Sequence, residues 1–504
     1  MNYTLANYYE EAGISPNPKW ASEIVLEDPD TGEGLRPMWH QITGLKLSLT
    51  TLNARSGLWD DMGTGKTLIS QAYAIWHAGS GNKVIAVMPG ILLGQYKQTL
   101  LKTFKGVEDK LSVEIYHGTV AKKNKQVDRW IDTEYPDIVL TTYDTFRTYY
   151  MLFLEYSAAV FDECKQLANP ENMTYLGVTT WAEGLGSKSI LLLNGTPGKN
   201  SLLDLYGYIK LINPSVYSCR GDFDQQHVEY TKIPTTFRGK NGALCTRGQE
   251  TVLGFRSLDK LYSNLYLQSR RVEKADVLDL PQKRIVQIQF DLNPAHKKQY
   301  DKLVLERMLL LPDNQVIDIT ASSSVRNTCM QLVANPEAAG IKEESALFSA
   351  IDELLDEMDL TKTKVFLLAH YRATVEKVGK RYAQHQPALI YGGSNAEKEK
   401  DRFLTDPKCR MAVANYQSGG VGLNLQSVCH TVITVEPTQV PGEFQQAVDR
   451  VDRKGQKNKV TVYVLVAKGT IYAKTVVNMR RKEGEILQVV SKGKLQAELL
   501  GQDD

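Results

Sequence analysis

Nine residues, Trp59-Asp60-Asp61-Met62-Gly63-Thr64-Gly65-Lys66-Thr67, constrain this chain more than any others. They read as a phosphate-binding loop. Gly63 and Gly65 lack Cβ, so the backbone of Gly63, Thr64 and Gly65 can wrap a polyphosphate and aim N–H groups at it. Lys66 supplies a point charge for the β and γ phosphates, and the Thr67 hydroxyl can ligate Mg2+. Residues 68–76 can continue as a helix whose N-terminus faces the phosphates, where the dipole favours negative charge. The strict pattern asks for Gly where this chain has Asp60. Alone, such a loop indicates a nucleotide and leaves open what the energy is used for. The bland alternative is a Gly-rich turn with a solvated lysine.

After the loop come short apolar runs that each end in polar residues: Val84-Ile85-Ala86-Val87-Met88, Ile138-Val139-Leu140, Ala158-Ala159-Val160-Phe161 and Ser189-Ile190-Leu191-Leu192-Leu193. Runs that are continuous rather than alternating suit strands buried on both faces, hence a parallel sheet covered by helices. Ligands of such sheets sit at the carboxyl ends of the strands. Asp162-Glu163 stands at one of those ends. Two adjacent carboxylates there can divide the labour: Asp162 holds Mg2+, directly or through water, and Glu163 orients and deprotonates an attacking water. Upstream, an aromatic residue followed by Gln41 could sandwich and hydrogen-bond an adenine.

A chain of 504 residues exceeds one core and predicts at least two domains. Net charge is +2, so any nucleic-acid surface must be a local patch. The six cysteines are scattered with no CxxC pair, which argues against a structural zinc site or a disulfide framework and fits a reducing compartment. The first twenty residues lack a signal-peptide pattern, and no stretch approaches the ~20 apolar residues of a membrane span.

Three segments carry a family resemblance. Asp60-Asp61-Met62-Gly63-Thr64-Gly65-Lys66-Thr67, Asp162-Glu163-Cys164-Lys165 and Leu191-Leu192-Leu193-Asn194-Gly195-Thr196-Pro197-Gly198-Lys199-Asn200 resemble motifs I, II and III of superfamily 2 helicases in their Snf2 form. That family also carries Asp at the Asp60 position. Leu35-Arg36-Pro37 through Gln41 resembles its adenine-reading element, and Asp137-Ile138-Val139-Leu140-Thr141-Thr142-Tyr143 its DNA-facing motif. Tyr266-Leu267-Gln268-Ser269-Arg270-Arg271 resembles the bridge into a second lobe.

In residues 231–247 there are four basic residues and no acid, around the hairpin signal Asn241-Gly242. With Arg238 and Lys240 this predicts a hairpin that touches DNA, with a solvated surface hairpin as the alternative. Residues 324–336 resemble the family's helical insertion in the second lobe.

The second half repeats the rhythm with Lys364-Val365-Phe366-Leu367-Leu368-Ala369, Ala388-Leu389-Ile390, Arg410-Met411-Ala412-Val413-Ala414, His430-Thr431-Val432-Ile433-Thr434-Val435 and residues 460–466. It has no GKT loop, so it is expected to close onto the first lobe without a nucleotide of its own. Residues 418–425 resemble motif V, which implies Asn415 and Ser418 near DNA and Gly422 near the nucleotide. Residues 445–456 resemble motif VI. Arg450 and Arg453, three apart, would share one face of a helix and stabilise transition-state charge at the γ-phosphate as arginine fingers. The departures are Lys165 and Asp452, each standing where the family has His.

The expected fold is therefore α/β: two RecA-like parallel-sheet lobes in tandem with helical and hairpin insertions. The boundaries expected are an N-terminal arm or cap (1–34), an ATP-binding lobe (35–213), an insertion and linker (214–280), a second lobe (281–490) with a helical insertion near 295–355, and a tail (491–504). The resemblance implies an ATP- and Mg2+-dependent translocase on duplex, forked or branched DNA. Thr141, Thr142, Thr196 and the motif V groups would hold backbone phosphates, which carry no sequence information. The shortness of the chain suggests a minimal, monomeric, phage- or bacterial-type engine in the cytoplasm that remodels forks and migrates branches. Displacement of proteins from DNA, or a nucleotide switch with little turnover, are the alternatives.

Overall fold

Strands that are apolar without interruption have two faces to bury, and each of the two large parallel sheets is accordingly flanked by two cores. The computed structural model describes residues 2–491 except 17, 185, 187, 199, 239–243, 307, 311–315, 319–321 and 420–422. The chain divides into two units. The first comprises Met1–Glu229, Val252–Leu278 and Ile486–Asp504, and the second Tyr230–Thr251 and Asp279–Glu485.

Among the described residues, the first unit holds a seven-stranded sheet. Its strands lie in the order Ser269–Arg270, Arg55–Leu58, Ser189–Leu193, Ala158–Asp162, Val84–Val87, Ile138–Thr141 and Val113–Tyr116. Every pairing is parallel. Alternate residues point to opposite faces. Ile85, Val87, Val139, Phe161 and Leu192 enter one core, while Val84, Ala86, Leu140, Val160 and Leu193 enter the other.

The N-terminal segment, expected as an arm or cap, packs into the first unit. Thr4 caps the helix Leu5–Glu11 through a reciprocal pair with Asn7. Leu5, Tyr8 and Tyr9 are fully buried in the second of those cores. The buried phenols find backbone partners, with Tyr8 Oη donating to Gln41 O at 3.1 Å and Tyr9 Oη to Ala72 O at 2.9 Å. Two further boundaries move. Ser269–Arg270 joins the first sheet as an edge strand, so the end of the expected linker belongs to the first unit. The long helix Ile471–Val490 also ends there, with Ile486, Val489 and Val490 in the first unit's core. Residues 492–504, most of the expected tail, lie outside the described residues.

The second unit repeats the plan with six parallel strands among its described residues. They lie in the order Arg284–Phe290, Thr461–Ala467, Cys429–Thr434, Lys364–Ala369, Met411–Asn415 and Ala388–Ile390. Val365, Leu367 and Val413 face one core, Phe366, Leu368 and Ala412 the other. Helices Pro294–Glu306, Ser322–Ala334 and Ala346–Asp356 occupy the place of the expected insertion. Strands Val228–Arg238 and Leu244–Phe255 pair as a two-stranded sheet, and the Asn241-Gly242 turn between them lies outside the described residues.

Candidate active site

Three loops of the first unit leave adjacent strand ends. Leu58 is in register with Leu193, and Leu193 with Asp162. The segments that follow, 59–67, 194–200 and 162–165, therefore start from one row across the sheet.

The first is a glycine-shaped cradle. Gly63 and Gly65 have φ of 85° and 83°, in the left-handed region that favours glycine. A Cβ on Gly65 would sit 2.2 Å from Gln41 Nε2. Gly65 caps the helix Lys66–Gly79, so the free N–H groups of the first turn open beside the loop. Lys66 Nζ donates to the carbonyls of Asp60 and, at 2.9 Å, Asp61. Thr67 is exposed at the first turn. A close backbone, a helix N-terminus, a lysine and a hydroxyl in this order fit the triphosphate of a nucleotide and its Mg2+.

Gln41 adjoins the cradle. Its Nε2 donates to Thr64 O at 3.3 Å, and its Oε1 accepts from Met38 N at 2.8 Å. Buried His40 also points Nε2 at Thr64 O, 2.8 Å away. A carbonyl only accepts, so the proton belongs on that nitrogen. To pair with an adenine, Gln41 must exchange at least one of these partners.

Glu163 has φ of 50°, a left-handed conformation rare outside glycine. It is held there from both sides. Glu163 N donates to Asp162 Oδ1 at 2.9 Å, and Cys164 N to Leu193 O at 3.1 Å. Asp162 is partly exposed. Burial, and then the Glu163 carboxylate beside it, push its carboxyl up to about 7, while Lys66 and Lys165 act in the opposite direction. A divalent cation would hold it ionised. The departure from the family pattern has a partner: Lys165 Nζ lies 3.5 Å from Glu163 Oε2. The third loop packs closely on the cradle, since a Cβ on Gly195 would meet Met62 Cγ at 2.9 Å. Thr196 follows, partly exposed.

Two arginines that sequence reasoning had placed only in a bridge belong to this site. Arg270 Nη2 donates to the fully buried Asp60 at 2.7 Å, and its Nη1 to Thr43 Oγ1 at 2.6 Å. Arg271 Nη2 donates to Asp61 Oδ1 at 2.8 Å, and its Nη1 to Gly195 O at 3.4 Å. The loop's two aspartates are thus held by consecutive arginines of the edge strand and its exit. The adjacent Arg-Arg pair opposite an Asp-Asp pair was the available signal.

Two expected DNA contacts need correction. Thr141 is fully buried, and its hydroxyl donates to Tyr116 O at 2.8 Å, so this side chain does not face a ligand. The Thr142 hydroxyl caps the helix Tyr143–Tyr149. The side chain of Arg238, with Lys240 and Gly422, lies outside the described residues.

In the second unit, Asn415 Oδ1 accepts from Ser418 N at 3.0 Å and closes the turn after the strand Met411–Asn415. The helix expected to carry Arg450 and Arg453 is Pro441–Val448, and it stops before both. Past Val448 the amides of Arg450 and Val451 bond three residues back, to Ala447 O at 3.3 Å and Val448 O at 2.9 Å, and Arg450 O accepts from Leu425 N at 2.9 Å. Gln456 then fixes the loop, donating to Cys429 O and Val451 O at 2.9 and 3.1 Å and accepting from Asn458 N at 2.9 Å. The two arginines remain electrostatic neighbours. Burial and the Arg450 charge bring Arg453 down to about 10, which leaves it cationic at neutral pH. Arg453 Nη1 donates to Asn424 Oδ1. Buried Asp452 pairs with Lys283 at 3.5 Å, so the second departure also has a local counter-ion.

A family model described as the SNF2-related domain matches residues 40–338. Among curated proteins, the chain is similar to a "DNA repair and recombination protein RAD54-like" of Drosophila ananassae. The two are 24% identical over 535 residues, covering 95% of this chain and 65% of that protein. Its counterpart in Drosophila persimilis is 25% identical over 538 residues, covering 95% and 67%. The chain thus spans about two thirds of the length of these relatives. Among solved structures it is similar to the "Sulfolobus solfataricus SWI2/SNF2 ATPase core in complex with dsDNA", with 22% identity, a TM-score of 0.40, and coverage of 91% of this chain and 94% of that one. Among the described residues, no helix is long and apolar enough to cross a membrane.

Proposed function

The chain belongs to the SNF2-related family, and we propose that it is a DNA-dependent ATPase that couples ATP hydrolysis to movement along duplex DNA. The observation that carries this is the shared register of three strand ends, which sets the glycine cradle beside the Asp162–Glu163 pair. The cradle amides and Lys66 bind the phosphates of ATP. Thr67 and Asp162 would hold Mg2+, which neutralises phosphate charge when bound. Glu163, fixed by its strained backbone, positions water and takes its proton. Lys165 sits on that carboxylate and restrains it until the loop rearranges. Arg450 and Arg453 are assigned to the charge that develops on the γ-phosphate, and Gly422 to the nucleotide's surroundings.

Movement requires that the nucleotide-bound and free forms differ in affinity for the track. Thr196, Asn415, Ser418, Arg238 and Lys240 are assigned to backbone phosphates, whose recognition is indifferent to sequence. Forked and branched DNA are the preferred substrates in this reading. The naming of the Drosophila relatives for DNA repair and recombination supports it. We further assign a monomeric engine in a reducing compartment, supported by free cysteines of which four are buried.

Phosphate release, measured with no DNA, single strands, linear duplex, forks and four-way junctions, tests the proposal. Stimulation by duplex of at least about tenfold, highest on junctions, is expected. Turnover indifferent to DNA would leave a nucleotide switch, and preferential stimulation by single strands would remove the duplex track.

A further inference from the structure

The second unit contains a crevice that none of the assigned residues occupies. It encloses about 420 Å3 and is lined by Arg326, Asn327, His370, Tyr371, Gln439 and Thr475, with two apolar side chains. Its position follows from topology. Lys364–Ala369 and Cys429–Thr434 are neighbours in the sheet. From the first, the chain continues to Ala388–Ile390 on one side. From the second, it continues to Thr461–Ala467 on the other. Connections that diverge in this way open a gap at the carboxyl ends of two adjacent strands, the position where open parallel sheets take their ligands. His370 and Tyr371 follow one strand, and Gln439 follows the other.

The charge in this gap is unbalanced. Arg326 is half-buried. Its guanidinium offers five N–H donors, of which one contact is made, from Nη2 to Thr475 Oγ1 at 3.3 Å. Among the described residues, no carboxylate lies within ion-pair distance of it. Two acids lie nearby: Glu443, which is close enough to act on His370 and accepts from Thr438 Oγ1 at 3.3 Å, and Glu436, which is fully buried and committed elsewhere. Its Oε2 accepts from His370 N and Tyr371 N at 2.7 and 2.9 Å, and its Oε1 from Thr374 Oγ1 at 2.7 Å. Those bonds use the amides of the two residues that lead into the helix Arg372–Arg381. A desolvated cation without a counter-ion, ringed by an amide, an imidazole and a second amide, is built for an anionic ligand.

We propose that this crevice binds a phosphate group, with Arg326 as its charged ligand and Asn327, His370 and Gln439 as the surrounding hydrogen-bonding groups. The volume exceeds that of a phosphate, which leaves room for what the phosphate is attached to. Two sources share this chemistry: a phosphodiester of a DNA backbone, and a free phosphate or phosphomonoester. The first rests on the proposed function; the anion site itself does not.

The test uses the full chain without nucleotide and does not read ATPase activity. One arm measures fluorescence anisotropy of a labelled duplex oligonucleotide over a range of salt. If the backbone is the source, Arg326→Ala weakens binding about 5- to 10-fold at low salt and lowers the salt slope by about 1. Arg326→Lys then keeps the slope, and Gln439→Ala weakens binding about 2- to 3-fold with the slope unchanged. The other arm measures the thermal midpoint with inorganic phosphate against chloride at matched ionic strength. Loss of phosphate stabilisation in Arg326→Ala with duplex affinity intact identifies free phosphate as the source. Phosphate taken by the loop of the first unit contributes equally to both proteins and cancels. If Arg326→Ala unfolds by circular dichroism, Gln439→Ala carries both arms. Wild-type affinity, slope and phosphate stabilisation in Arg326→Ala and Gln439→Ala overturn the proposal. A wild-type chain that fails to bind duplex while losing phosphate stabilisation on Arg326→Ala refutes the motor reading and retains the site.

Discussion

Replacing Arg270 by alanine should destabilise the first unit by about 3–5 kcal/mol, the range for breaking a buried pair from one side. The pair consists of Asp60, whose side chain has no exposed surface, and Arg270, whose side chain is 16% exposed, 2.7 Å apart. Two unit charges about 4 Å apart attract by roughly 4 kcal/mol at an effective dielectric near 20. The Arg270 bond to Thr43 at 2.6 Å is lost as well, worth about 1 kcal/mol. Water entering the space left by the side chain offsets part of this sum. All six tryptophans, at positions 20, 39, 59, 76, 130 and 181, lie in the first unit, so tryptophan emission during urea unfolding reports that unit alone. With a slope of roughly 3 kcal/mol/M, the midpoint should fall by about 1–1.7 M. The double variant Asp60→Ala with Arg270→Ala leaves no orphaned charge and should recover at least about 1.5 kcal/mol relative to the sum of the single changes. A midpoint within about 0.2 M of wild type, or strict additivity in the double variant, would refute the view that Arg270 holds the loop.

Glu163→Gln should keep ATP affinity within about threefold while turnover falls at least about 100-fold, checked by nucleotide binding and phosphate release. Arg453→Ala should lower turnover by about 10³-fold with duplex affinity unchanged; near-normal phosphate release in that variant removes the finger assignment. Burial pushes Glu436 up to about 7 from an ordinary value of 4.5. The folded state then keeps a proton that the unfolded chain releases. Stability of the second unit should therefore fall as pH rises from about 4.5 to 7 and level off above. Glu436→Gln, which has no proton to lose, should flatten that part of the calorimetric profile.

What was legible in the chain follows from how each signal is encoded. Val84-Ile85-Ala86-Val87 and Phe366-Leu367-Leu368 announce strands because both faces are buried, and burial shows directly as composition. The cradle was legible because Gly63 and Gly65 answer a local backbone requirement. Ser269–Arg270 gave no such sign. It is short, polar and at an edge, and it forms because Gly57, Trp59 and Asp61 donate to Gln268, Arg270 and Val272 from a strand about 200 residues away in sequence. The N-terminal helix hides for a related reason: seven residues show too little periodicity, and Tyr8 and Tyr9 announce burial only once their hydroxyls have partners. The pattern Gln446-Ala447-Val448-Asp449-Arg450-Val451-Asp452-Arg453 keeps helical spacing past the point where the helix stops. Past that point Arg450 O is taken by the amide of Leu425, 25 residues upstream, a contact no local rule detects.

The arginine clamp also bears on how the two units are joined. The chain leaves the first unit after Leu278 and returns to it at Ile486. Inside the first unit, both passages are tied to the segment that holds the phosphate loop. Tyr266 Oη donates to Val490 O at 2.7 Å, and Ser491 Oγ donates to Glu273 Oε1 at 2.7 Å. Lys274 N donates to Asp61 Oδ2 at 3.1 Å, while Arg271 bonds Asp61 and Gly195 and lies 3.9 Å from Glu273. A displacement of Asp61 therefore loads Arg271 and the Lys274 amide at once. Neither can follow without drawing on Gly195 or on the residues that anchor the returning helix. Packed, hydrogen-bonded groups of this kind shift between discrete arrangements rather than deform smoothly. The glycine loop proposed to cradle phosphate is thus mechanically continuous with the chain segments that connect the units, through contacts made entirely within the first.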